Sequence, residues 1–348
     1  MGGLNTNKFF LLVRDFFKVY LSAVKKYSPN TIRSYQKSLE LLLDFVKESR
    51  QIKLHEITFD MIDRNVLQSF LEYVEKERGC STSTRNHRLH CIRSFYQYVA
   101  ETDITVVAYW NEIKKVKAAK TRTTPVKYMS EKAIEAILAQ PNTVTKTGMR
   151  DMFLMLFLYQ SAARVQELLD VKLRDIVESG ATKVTLCGKS PKPRTVPLRE
   201  KFVQHLRKYM EIYHPNADRY SDDFLFFVSY NGIRKRMTED NVRRMVRKYG
   251  TAAKLVCPEV PDNVHPHLFR HSRAMHLYQN GVSLELVSQW LGHSRLETTL
   301  IYAYADTEQK RKALENAIPT EGTLKEHLSA ARYTITDEDV LKELCGLK

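Results

Sequence analysis

Between Ile113 and Ser130 the chain reads IKKVKAAKTRTTPVKYMS, which holds Lys114, Lys115, Lys117, Lys120, Arg122 and Lys127 and no acidic residue. Solvated faces of packed elements usually carry neutralising acids, and the threonines and Pro125 disfavour a packed helix or central strand. The stretch therefore reads as a cationic strap between two separately folded parts. A length of 348 residues favours the same division, because one core seldom absorbs so long a chain. The expected boundaries are 1–112 for an N-terminal domain, 113–126 for the linker, 127–320 for a second domain and 321–348 for a tail.

Helical periodicity dominates the first part. Phe9, Val13, Phe16, Tyr20 and Val24 mark an amphipathic helix over residues 7–26 that stops at Ser28-Pro29. Ser28, Asn30 or Thr31 can cap a second helix with the apolar stripe Ile32, Tyr35, Leu39, Leu42 and Val46. Asp63 opens a third, bearing Val66, Phe70, Tyr73 and Val74 and stopped at Gly79, and Ser81 or Ser83 opens a fourth over 84–100. The fourth turns Leu89, Ile92, Tyr96 and Val99 inward and Arg85, His87, Arg88 and Arg93 outward. Together these predict a four-helix bundle.

The second part mixes helices with a small β element. Ser130 caps a helix ended by Pro141, and Met152–Tyr159 is apolar all round, as a core helix would be. Thr182–Cys187 and Arg194–Leu198 read as a hairpin with Lys189 at its mouth. Its GKS is no phosphate loop, since Lys183 stands where the motif needs glycine. Further helices are expected over Lys201–Tyr213, over Thr238–Tyr249 with Gly250 as the stop, over Pro266–Gln279 and from Ser283 to Trp290. The fold class is mainly α with a small β-hairpin or sheet.

Lys and Arg number 55 against 40 Asp and Glu, a net charge of +15 that favours a polyanionic partner, either nucleic acid or an anionic membrane surface. The five cysteines are scattered without a CxxC pair, so neither a disulfide framework nor a zinc site is indicated, and a reducing cytoplasm fits best. The apolar run Phe9–Leu21 is broken by Arg14, Asp15 and Lys18, unlike a signal peptide, and Met152–Tyr159 is too short to span a bilayer. No membrane partner is expected.

Reactive side chains concentrate in HPHLFRHSRAMHLYQNGVSLELVSQWLGHSRLETTLIYAYA, residues 265–304. His265, His267, His271, His276 and His293 invite a metal reading, but HExxH is absent, Asp262 is the one acid in 261–284, and Arg270 shares a helix face with His267 and His271. Arginines, a lysine and histidines fit a phosphodiester better, because guanidinium groups pair with its non-bridging oxygens and stabilise charge developing on phosphorus. A tyrosine hydroxyl becomes a nucleophile only in such a positive field. Lys189 can protonate a leaving alkoxide. Taken singly, each residue has an ordinary explanation: Arg164 can pair with Glu167, His271 can belong to the core, and one tyrosine among 18 is most often packing.

At these residues the chain resembles the tyrosine recombinase family. The resemblance lies in ARVQEL around Arg164, CGKSPKPRTVPL with Lys189, HLFRH at 267–271, LGHS at 291–294 and TTLIYAY with Tyr302. SPNTIRSYQKSLELLLDFV and STSTRNHRLHCIRSFYQYV resemble that family's N-terminal SAM-like core-binding domain. Phe269 departs from the family's usual leucine, an apolar exchange.

The resemblance implies that Arg164 and Arg270 clamp the scissile phosphate and that Lys189 protonates the leaving 5′ oxygen. His267 assists proton transfer, His293 hydrogen-bonds the phosphate, and Tyr302 forms a 3′-phosphotyrosyl link, with Glu167 and His271 in support. Tyr304 is the rival nucleophile. The implied partner is double-stranded DNA with paired recombination sites, met by Arg85, Arg88, Arg93, Lys114, Lys117, Lys120, Arg122, Arg243 and Arg244.

No metal or cofactor is implied. The protein is expected to be a homotetramer on DNA, with the tail in contact between protomers, a monomer or weak oligomer when free, and cytoplasmic at the nucleoid. A type IB-like topoisomerase and a DNA-binding regulator with an unused pocket are the alternatives.

Overall fold

Hydroxyl and carboxylate caps set the starts of the helices in the first part. Ser28 accepts from the Thr31 amide to open α2 (Pro29–Arg50), Asp63 accepts from Val66 to open α3 (Arg64–Lys76), and Ser81 accepts from Thr84 to open α4 (Thr82–Thr102). Before them α1 (Lys8–Asp15) continues as a π-helical run over Phe16–Val24, whose wider turn aligns the buried Phe16 and Leu21, five residues apart. The computed structural model describes residues 8–121, 126–178, 180–188, 193–305, 311 and 338–347. The chain divides into two compact units, residues 1–123 and 124–348.

The first unit holds one element that the periodicity did not reveal, α5 (Val107–Lys115). Ile113 and Val116 are buried in the same core as Leu39, Phe70 and Phe95. Arg93 donates to the carbonyls of Lys114 and Val116 at the end of that helix, where a cation also meets the negative end of the helix dipole. Lys114 and Lys115 thus close a helix and do not begin the strap. Arg93, expected to point outward, is a capping residue. Arg85 is likewise drawn in, its side chain 13% exposed and 3.7 Å from Glu75.

In the second unit Ser130 caps α6 (Glu131–Leu138), and α7 (Lys146–Ser161) runs through the core with Phe153, Leu154, Met155, Phe157 and Leu158 buried. The Phe153 ring packs on Phe202 and Tyr209 of α9 (Glu200–Tyr213), with centroids 5.4 and 4.8 Å away. Between α7 and α9 come the short α8 (Val165–Leu169) and an antiparallel sheet β1-β2-β3, formed by Ile176–Val177, Lys183–Leu186 and Arg194–Pro197. The inward residues Val184 and Val196 face each other, and Leu186 pairs with Arg194.

A second hairpin, β4 (Phe227–Tyr230) and β5 (Ile233–Arg236), turns at Asn231-Gly232 with φ of 50° and 77°. Two successive positive φ values are what a tight two-residue hairpin requires, and Asn-Gly supplies them. Then α10 (Glu239–Val256) runs straight through Gly250, which does not stop it. That glycine marks a close approach instead, since a Cβ there would lie 2.6 Å from the Val264 side chain.

The unit closes with α11 (Pro266–Gln279), α12 (Leu284–Leu291) and α13 (Leu300–Ala305), and the exposed α14 (Glu338–Leu344) lies in the tail. Ala162, Ala274, Met275, Val287, Leu291 and Tyr302 form a small apolar cluster of their own. No described helix is long and apolar enough to cross a membrane.

Candidate active site

Two left-handed residues shape the site. Ala162 ends α7 at φ 50°, a conformation that costs a Cβ-bearing residue about 1 kcal/mol or more, and Gly292 ends α12 at φ 63°. The carbonyls at these two helix ends, Ala162 and Leu291, each accept from Arg270, Nη1 and Nη2 both at 2.7 Å. Arg270 is buried on α11 and stitches α7 to α12. Burial, then Arg164 and Arg194, pull its guanidinium down to about 9, which leaves it charged at neutral pH.

Arg164 follows the Ala162 turn as the N-cap of α8. Its amide donates to Glu167 Oε2 at 2.9 Å and its Nη1 to Oε1 at 2.6 Å, while the side chain stays 39% exposed. Glu167 is 2% exposed and also lies 2.8 Å from Arg194 Nη2. Burial alone would raise this carboxyl, but Arg194 first and then Arg164 outweigh it and hold the group down at about 2. Among the described residues the site thus has one ionised carboxylate, Glu167, with the guanidinium groups of Arg164, Arg194 and Arg270 around it.

Tyr302, on α13, is 1% exposed. Its hydroxyl shares a 3.0 Å hydrogen bond with His271 Nδ1. Burial pushes the phenol up to about 12, against the opposing pull of Arg270 and Arg164. His271 itself is pushed down to about 4 by burial, His267, Arg270 and His265. His293 falls to about 4 through burial and the same arginines, and its Nδ1 bonds the Thr299 hydroxyl at 2.8 Å. Thr299 is buried and its carbonyl accepts from the Tyr302 amide at 3.0 Å, so one residue links the His293 turn to the tyrosine. His267 keeps solvent access, and burial beneath it, then Arg270, lowers it too.

The structure therefore brings together Arg164, Arg270, His293 and Tyr302 with Glu167 and His271, and sets His267 one turn before His271 on α11. His276 is elsewhere, bonded to Tyr159 at 2.8 Å. Tyr304, 72% exposed, lies outside the buried cluster. Lys189 and Arg122 lie outside the described residues.

Of the other basic positions, Lys114, Lys117, Lys120 and Arg244 are exposed and Arg88 is half-buried. Arg243 is held by Glu239 and Asp240 at 3.6 and 3.5 Å. Arg194 and Thr299 went unnoticed in the sequence. An arginine beside the inward residues of a β-strand was the available signal for the first, and nothing distinguished the second from its neighbour Thr298. Among the described residues no three His, Cys, Asp or Glu side chains stand close enough to hold a metal ion.

A buried cation anchored on carbonyls, an exposed one beside it and a tyrosine hydroxyl in their field can bind a phosphodiester and attack it. Residues 127–309 match the model of the phage integrase family, and residues 15–102 match that of the phage integrase N-terminal SAM-like domain. The chain belongs to the phage integrase family and is a tyrosine-type DNA strand-exchange enzyme.

It is 30% identical to tyrosine recombinase XerC of Pelotomaculum thermopropionicum over 88% of this chain and 97% of that one. It is 28% identical to tyrosine recombinase XerD of Staphylococcus saprophyticus over 86% and 96%. The fold is similar to that of the Tn1549 transposon integrase in complex with circular intermediate DNA, with a TM-score of 0.64 at 17% identity over 88% of this chain and 98% of that one. It is also similar to XerH bound to palindromic difH substrate, with a TM-score of 0.63 at 20% identity over 82% and 79%.

Proposed function

We propose that this chain cuts and rejoins duplex DNA at paired, defined sites through a covalent link to Tyr302. The Tyr302 hydroxyl, bonded to His271 and lying in the electrostatic field of Arg270 and Arg164, supports this reading most directly. Arg164 and Arg270 hold the non-bridging oxygens, and His293 donates to one of them. Tyr302 loses its proton with the help of His267 as its oxygen bonds to phosphorus. The bond to the 5′ oxygen breaks, and that oxygen takes a proton from Lys189.

The 3′-phosphotyrosyl link conserves the phosphodiester until another 5′ hydroxyl attacks, so neither metal nor nucleotide is consumed. The hydroxyl is withdrawn in the free chain, and attack requires it to leave His271. Four protomers on two cytoplasmic DNA sites complete the exchange, with Lys117, Lys120, Arg122 and Arg244 among the backbone contacts.

Trapping on a nicked duplex, where the cleaved end diffuses away, tests the assignment. The wild type and Tyr304→Phe are expected to accumulate a protein–DNA adduct on a denaturing gel, and Tyr302→Phe none. An adduct that survives Tyr302→Phe would overturn it.

A further inference from the structure

Glu167 is buried among three partners: the Arg164 amide, the Arg164 guanidinium and Arg194. Arg194 reaches it from β3, with its side chain 11% exposed. Its Nη2 is near the carboxylate without the alignment of a hydrogen bond, and its Nε has no acceptor, so charge and packing hold it there.

The same side chain presses on the α12 terminus. A Cβ at Gly292 would lie 2.9 Å from Arg194 Cδ and 3.2 Å from Nη1, so a side chain there would have to push this arginine aside, and the φ of 63° favours glycine as well. A Cβ at Gly188 would lie 2.6 Å from Glu167 Oε1, so the end of the β2 arm packs on the same ion pair.

We propose that Arg194 is a positioning residue for strand cleavage: through Glu167 it fixes Arg164, and through its own stem it fixes the turn that carries His293. The proposal rests on the strand-cleavage reading of the same site and adds a residue to it. Lysine carries the charge, but its narrower stem and single nitrogen cannot fill the space under Gly292 while reaching Glu167. Without Arg194, Glu167 has Arg164 alone, and the guanidinium that must face a phosphate is drawn toward the buried carboxylate.

Arg194→Met, Arg194→Lys, Glu167→Gln and Arg194→Met combined with Glu167→Gln form the test, each first checked by circular dichroism for a native fold. Arg194→Met is expected to slow adduct formation on the nicked duplex by about tenfold to a hundredfold, as small misplacements of reacting groups do, with the Kd for that duplex unchanged. Arg194→Lys recovers part of the rate. In the Glu167→Gln background the Arg194→Met loss shrinks, because the charge that Arg194 balances is gone.

In the free protein, the titration midpoint of His293 followed by NMR rises in Arg194→Met, since Arg194 is one of the cations that hold it down. Additive rate losses, a Kd that weakens in step with the rate, or an unmoved His293 midpoint would each reject the role. A wild type that forms no adduct would instead count against the strand-cleavage reading, and the His293 titration would still show whether the charge of Arg194 reaches His293.

Discussion

Arg164 and Arg270 carry the same charge and are held in opposite ways. Arg270 donates from its two terminal nitrogens to the carbonyls of Ala162 and Leu291, so it is part of the framework of the fold. Arg164 meets one carboxylate and keeps an exposed edge toward solvent. The histidines nearby are neutral by placement. His271 and His293 sit at about 4, against about 6.5 for a free imidazole. Between those values the unfolded chain binds protons that the folded chain refuses, so stability is full above about 6.5 and falls as pH drops toward 4. His271→Gln removes one such group. Thermal unfolding between pH 7 and 4 is therefore expected to show a shallower decline in that variant than in the wild type. An identical decline would mean that His271 takes up its proton as readily in the folded chain as in the unfolded one.

Elements with strong local signals were legible before any coordinates. Serine and aspartate caps at Ser28, Asp63 and Ser81 lie where the apolar periodicity begins, and the second arginine, the two histidines and the tyrosine fall within forty residues of sequence. The elements that escaped owe their form to tertiary contacts or to a turn that was passed over. The helix α5 is only nine residues long and is bounded by Arg93 from another helix. The hairpin β4–β5 announced itself through Asn231-Gly232, the most direct short-range hairpin signal, and was missed among flanking residues that do not alternate. Gly250 misled because a glycine in a helical pattern can be a stop or a contact, and only Val264, fourteen positions on, decides which. Gly250→Ala improves helix propensity by roughly 1 kcal/mol, yet the forced contact costs about 1–3 kcal/mol. Urea unfolding is expected to show a net loss of up to about 2 kcal/mol, and a stabilised variant would show that α10 and Val264 can move apart.

At the scale of the molecule, the two compact units are joined through a stretch rich in lysine, with Lys117 and Lys120 exposed beyond the end of α5. If both lysines lie along the phosphates, replacing them with glutamine reduces the slope of log affinity against log salt by about one for each. A uniform drop in affinity with an unchanged slope would place them off the DNA. Charge of this kind brings a chain to any duplex, whatever its sequence, and most encounters are with the wrong one. Tyr302 meets those encounters with its hydroxyl bonded to His271 and closed off from solvent. If Tyr302 is the attacking residue, the burial of this one side chain separates finding DNA from cutting it.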